Sequence, residues 1–251
     1  MELPMPERGR FLQFEDRASD SPFVERVWRS RSERAGTFLS VAASHCELVV
    51  TRHRGLVRMT VRGPETRPTP ADCPADGEWV GIRLSIGTWL TLYPAAMVRD
   101  RRDVDLPAGR GRFQLDSSVW EYPSFDNAEA LVARLVRAGL LVRDPAVVAA
   151  LAGDTRALTR RSAQRHFRLA TGMTQRTYHQ IQRARYAVGL LRSGADIVET
   201  VHRAGYFDQA HLTRSLTRLI GQTPGRVRRG ERQLSFLYKT SLSGRRYLDG
   251  P

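Results

Sequence analysis

Between Asp196 and Pro224 the chain reads DIVETVHRAGYFDQAHLTRSLTRLIGQTP, with Gln209, Thr213, Arg214, Thr217 and Arg218 among its polar side chains. Amide, hydroxyl and guanidinium groups of this kind contact base edges and phosphates, so the chemistry on offer is recognition. To act together they must share one face of a helix. Leu212, Leu216 and Ile220 recur at i, i+4, i+8 with Leu219 beside them, giving that helix a buried stripe behind the polar set. Asp208 is suited to cap its first turn, because its carboxylate can accept from the free N–H groups there. Ile197, Thr200, Val201 and Ala204 give a preceding short helix one mostly apolar face, and Gly205 ends it. A capped second helix with an apolar back and a polar, basic front is what a DNA-reading helix-turn-helix requires. An ordinary amphipathic helix pair explains the stripe but not the choice of polar residues. His211 either reaches a base or phosphate or faces solvent, and His202 is expected to be exposed.

The run GYFDQAHLTRSLTRLIGQTP resembles the C-terminal signature of the AraC/XylS-type transcription regulators. A Gly-aromatic pair, an acidic cap, Gln, apolar residues four apart and a terminal Gly-x-Thr-Pro occur in that order. Leu216 stands where the family usually has Phe, and Val201 where it usually has Ala; both remain apolar. The resemblance covers about the last two fifths of the chain. It implies two helix-turn-helix units joined by a long helix. LTRRSAQRHFRLATGM resembles the first recognition helix, with Thr159 as cap and Ala163, Phe167 and Ala170 looking inward. Arg160, Arg161, Gln164, Arg165 and Arg168 lie on or beside its outer face. Gly153 and Asp154 fall where the family usually continues a helix, so the first unit is expected to enter its groove at a different angle. Gln164, Arg165, Gln209, Thr213 and Arg214 are the candidates for base reading. Arg161, Arg168, Arg218, Arg226 and Arg228 are the candidates for phosphates, with Arg229 in the same C-terminal clamp.

Charge follows this division. Residues 144–230 hold 15 Arg against 5 Asp and Glu, whereas residues 1–143 hold 21 basic and 19 acidic side chains. Positive charge concentrated on one third of the chain is the footprint of a nucleic-acid-binding domain. An Arg-rich composition of the whole organism would not explain the near-neutral first half.

Other chemistry finds little support. His45, Cys46 and His53 are close in sequence, but no H-x-H or C-x-x-C pair occurs, so no metal or other cofactor is expected. There is no Gly-x-Ser-x-Gly elbow and no Gly-rich phosphate loop, and no enzyme is expected. Asp100, Asp103 and Asp105, among Arg99, Arg101 and Arg102, read as a solvated loop. Cys46 and Cys73 are expected to be free thiols in a cytoplasmic chain. No apolar run approaches the roughly eighteen residues of a membrane span, and MELPMPERGRFLQFEDR lacks a signal-peptide core.

A length of 251 residues gives room for two domains. The expected fold is α+β: a cupin-like antiparallel barrel followed by an all-α domain with two helix-turn-helix units. Residues 1–122 form the β-rich sensor or dimerisation domain, 123–143 a linking helix, 144–230 the DNA-binding domain and 231–251 a tail. Met1 to about Arg34 reads as a weakly structured lead-in, with Phe23, Val24, Val27 and Trp28 able to open an edge element. Thr37–Ala42, Cys46–His53, Leu56–Arg62 and Trp79–Leu84 are the strand candidates, with Arg54-Gly55 turning a hairpin. Pro68, Pro70 and Pro74 mark a loop. Ser124 or Asp126 caps the linking helix, whose stripe is Leu131, Val132, Leu135 and Val136; it packs on the barrel or pairs with a copy of itself. Asp144 and Pro145 open the next helix, buried through Val147, Val148 and Leu151. Thr174 to Ser193 is the connecting helix, buried through Tyr178, Ile181, Ala184, Ala187, Leu190 and Leu191; it begins with Gln175 where the family often has Pro. On it Arg183 and Arg185 touch phosphates or are solvated. LSFLYKTS in the tail is able to dock as a short strand. The partners implied are duplex DNA, a small-molecule effector in the barrel, a second copy of the chain and, for an activator, RNA polymerase. The alternative is a barrel that serves only dimerisation or protein interaction.

Overall fold

The computed structural model describes residues 12–101, 103–109, 111–154 and 159–235. In chain order these form strands β1 (Leu12–Ala18), β2 (Val24–Ser32), β3 (Gly36–Ser40), β4 (Glu47–His53), β5 (Leu56–Arg62), β6 (Thr69–Cys73), β7 (Glu78–Leu84) and β8 (Thr88–Leu90). A short helix α1 (Ala95–Val98) follows, then β9 (Val104–Asp105), β10 (Ala108–Gly109), β11 (Arg112–Leu115) and β12 (Ser118–Glu121). Helix α2 (Ala128–Arg137) and β13 (Leu141–Arg143) precede the helices α3 (Pro145–Leu151), α4 (Arg160–Thr171), α5 (Gln175–Arg192), α6 (Ile197–Arg203), α7 (Gln209–Ile220) and α8 (Pro224–Arg229).

The largest sheet is antiparallel, in the order β1-β2-β7-β4-β5-β9. Its two faces differ because successive side chains alternate. Leu48 and Val50, Met59 and Val61, and Ile82 and Leu84 point to one face, where α2 and β11–β12 cover them in a continuous apolar core. Glu47, Thr51, Thr60, Arg62, Trp79 and Arg83 point to the other. That face looks across a cavity of about 450 Å³ towards β3 and β6. Trp28 lies over Gly81 of the neighbouring strand, where a Cβ would come within 2.0 Å of its ring. Phe14 stacks on Trp28 at 5.8 Å.

Several expectations are corrected. The sheet is open: no ladder joins β1 to β9 among the described residues, so the strands are not closed into a barrel. The lead-in is not weakly structured from Leu12 onwards. β1 pairs along its whole length with Arg26–Ser32 of β2; Leu12 is buried with Cys73 on one face of the sheet, and Val24 and Val27 in the core on the other. The Pro68–Pro74 loop contains β6, which among the described residues pairs only with β3. An edge strand tolerates Pro70 because its outer side asks for no N–H donor. Asn127, not Ser124 or Asp126, holds the cap position just before α2, without a side-chain cap bond, and its backbone N–H donates to Ser124 Oγ at 3.3 Å. Asp100, Asp103 and Asp105 anchor their segment: Asp100 accepts from Thr66, Asp103 from Arg62 and Asp105 from Thr60. The Arg54-Gly55 turn is present, both residues having positive φ.

The apolar stripe of α2 is covered by the sheet, and Arg17 of β1 holds Glu129 through two contacts of 2.6 and 2.7 Å. Helices α3–α8 enclose a second core around Phe167, Ile181, Leu191, Leu212 and Leu216. The sheet half contributes to it: Leu39, Val41 and Ala42 are buried among these helices. The Ala42 N–H donates to Leu219 O at 2.9 Å, and Leu39 forms a parallel bridge with the buried Leu234 of the tail. The rest of LSFLYKTS beyond Ser235 lies outside the described residues.

Candidate nucleic-acid interface

The candidates on α4 and α7 sit on helices whose starts are fixed by side-chain caps. Thr159 accepts from the Ser162 N–H at 3.2 Å and opens α4; Asp208 accepts from the His211 N–H at 2.6 Å and opens α7. Both helices end on a left-handed glycine, Gly172 and Gly221. The partner helices are capped likewise, α3 by Asp144 and α6 by Asp196. Gly205, at φ +67, makes the tight turn between α6 and α7. The turn between α3 and α4 includes residues 155–158, which lie outside the described residues.

On α4, Arg161, Gln164, Arg165 and Arg168 are exposed, and Phe167 and Ala170 are buried. Arg160 belongs to the first turn of the same helix. On α7, Gln209, Arg214 and Arg218 are exposed while Leu212, Leu216, Leu219 and Ile220 are buried. Thr213 donates back to Gln209 O at 2.8 Å, and Arg218 donates to Gln180 of α5 at 2.7 Å. His211 packs edge-on against Tyr206 at 5.1 Å, and His202 is exposed. After α7, Arg226 and Arg229 share Glu231, while Arg228 is exposed. The structure therefore sets the α4 and α7 candidates on exposed helix faces, with α7 tied to α5 through Arg218 and Gln180. Arg226 is partly neutralised in its place.

Two arginines of α5 depart from the expectation that they touch phosphates or are solvated. Arg183 lies over the Tyr206 ring at 4.6 Å and donates to Gly205 O, bracing the second turn. Arg185 reaches into the cavity under the sheet, beside Arg83, Glu47 and His45. Burial and the nearby Arg83 charge pull its guanidinium down to about 10. Glu47 is the hub of that cluster, contacting His45 at 3.2 Å, Arg83 at 3.0 Å and Arg62 at 3.6 Å. Burial opposes its charge, but those three partners outweigh it and hold the carboxyl far below its usual range. Burial pulls the His45 imidazole down and pushes the Cys46 thiol up to about 12. Cys46 and Cys73 are both free and buried. No group of three or more His, Cys, Asp and Glu is placed to hold a metal among the described residues. The sequence signal for Arg185 was weak, because a lone arginine between Ala184 and Tyr186 reads as surface until the sheet is set against the helix.

With two capped helix pairs and their basic faces in place, comparison with known proteins is decisive for this half. A family model described as a helix-turn-helix domain matches residues 154–230. Residues 154–230 are an AraC-type helix-turn-helix domain. This domain binds DNA and belongs to transcription regulation. The chain is also similar to the regulatory protein ada of Salmonella typhimurium, 30% identical over 117 residues. That stretch is 45% of this chain and 33% of the relative, so the chain spans about a third of the curated relative it matches. No solved structure matches. Among the described residues no helix is long and apolar enough to cross a membrane.

Proposed function

We propose that the chain is a sequence-specific transcription regulator of the cytoplasm, without enzymatic activity, in which residues 144–230 read duplex DNA and the β-rich half senses a signal. The observation that carries this reading is the pair of side-chain-capped helices α4 and α7, each with an exposed polar and basic face. Gln164, Arg165, Gln209, Thr213 and Arg214 read bases; Arg161, Arg168, Arg218 and Arg228 bind phosphates, joined by Arg226 once Glu231 releases it. Alanine variants tested on operator and scrambled DNA separate these roles. Loss of Arg214 should cost about 1–3 kcal/mol on operator only. Loss of Arg228 should weaken both DNAs alike and lower the salt slope by about one. Equal losses on both DNAs for Arg214→Ala would overturn its role.

The signal enters as a small molecule in the cavity. Its walls come from the sheet, from β3 and β6, and from Arg185 and Ser235 of the helical half. An occupant touching Arg185 bears on the helix that sets the spacing of α4 and α7. A ligand that binds only the folded state must raise the melting temperature. Stabilisation by a member of a metabolite panel, reduced in an Arg185→Met variant, is expected. A panel without effect, together with a stable dimer in sedimentation, would favour an interaction module instead.

A further inference from the structure

Phe207 is 90% exposed, more than any other large apolar side chain among the described residues. Its neighbours explain why it cannot turn inward. Tyr206, only 5% exposed, occupies the core position, with its hydroxyl 3.0 Å from Ser215 Oγ, Arg183 over its ring and His211 against its edge. On the other side Asp208 is fixed by its cap to the His211 N–H. The backbone is thus pinned before and after Phe207, and the ring is held in water where burial would be favoured. It stands one residue before the cap of α7, at the end of a recognition helix that meets the base edges. Gln209, Ala210 and Arg214 are exposed beside it in the sequence of that helix.

A phenyl ring offers no donor or acceptor, so it cannot read the hydrogen-bonding pattern of a base pair. The apolar feature that the major groove presents is the thymine C5-methyl group. We propose that Phe207 reads a thymine methyl at the edge of the half-site contacted by α7. This inference rests on the DNA-reading function of α7. It adds an apolar contact to a face otherwise built from amide, hydroxyl and guanidinium groups.

Deoxyuridine substitution tests it, because it removes the methyl and leaves the pairing edge intact. A site is first selected from a randomised duplex pool with the full chain, and each thymine in it is then replaced singly. One replacement in the α7 half-site should weaken the wild type by about fourfold, the expected effect of one buried methyl group. Phe207→Ala should bind the thymine site more weakly and be indifferent to the same replacement, with an unchanged melting temperature. Wild type tolerating every replacement, or Phe207→Ala matching wild-type affinity, would overturn the proposal while leaving DNA reading in place. The second result would point to a protein partner for the ring. If no site is enriched from the pool, DNA reading by α7 fails and this inference fails with it.

Discussion

Asp144 and His166 meet at 2.7 Å, and the same carboxylate caps α3 by accepting from the Ala146 N–H at 2.8 Å. One side chain therefore fixes the start of α3 and ties it to α4 across the first helix-turn-helix unit. Substitution by Ala removes a cap, worth about 1 kcal/mol, and a contact between the two helices worth about another. Asp144→Ala should lower stability by about 2 kcal/mol, and Asp144→Asn by less because an amide oxygen still caps. Thermal unfolding of the three proteins checks this order. Equal stability of Asp144→Ala and wild type would show that the carboxylate does not join the helices.

Gly172 and Gly205 offer a matched comparison. Both have positive φ, at +69 and +67, but a Cβ on Gly172 would lie 2.8 Å from the Ala95 carbonyl oxygen, whereas Gly205 faces open space. Gly205→Ala should cost only the left-handed backbone penalty of about 1–2 kcal/mol. Gly172→Ala should cost clearly more, since the obstacle is the backbone of α1 and α4 must shift away from it. Denaturant unfolding of both variants measures the difference. Similar losses would mean that α1 gives way freely.

Arg17 and Glu129 set an acid limit on the sheet half. The Arg17 guanidinium holds the Glu129 carboxyl down at about 2, against an ordinary value of 4.5. A carboxyl depressed in the folded state contributes stability that is fully present above about 4.5. It is lost progressively as pH falls towards about 2. Glu129→Gln should be less stable than wild type at neutral pH, and the gap should close through that window. A gap that stays constant from pH 6 to pH 2 would contradict the pairing.

The parts of the fold visible in the sequence were those set by local chemistry. Asp208 and Thr159 cap the helices they precede, and Gly205 turns between α6 and α7, because a side-chain oxygen or a missing Cβ acts within three residues. The Arg54-Gly55 hairpin was readable for the same reason. β1 was missed, and β2 was foreseen only as an edge element where it lies between β1 and β7, because the charges in LQFEDRA and VERVWRSRS dilute the apolar alternation. β6 was missed because prolines at an edge look like proline in a loop. The cavity was not legible either. It depends on which face of the sheet meets α5, and Arg185 and Arg83 are 102 residues apart. The exposure of Gln164, Arg165, Gln209 and Arg214 on α4 and α7 was readable from the apolar stripes behind them, whereas the bracing of Tyr206 by Arg183 needed the packed turn.

The decisive measurement is binding of the full chain to a randomised duplex-DNA pool across salt concentrations, with sequencing of the bound fraction. Two short motifs about one helical turn apart are expected, with affinity falling steeply as salt rises. Binding without any enriched sequence, or no binding at low salt, would contradict DNA reading by α4 and α7.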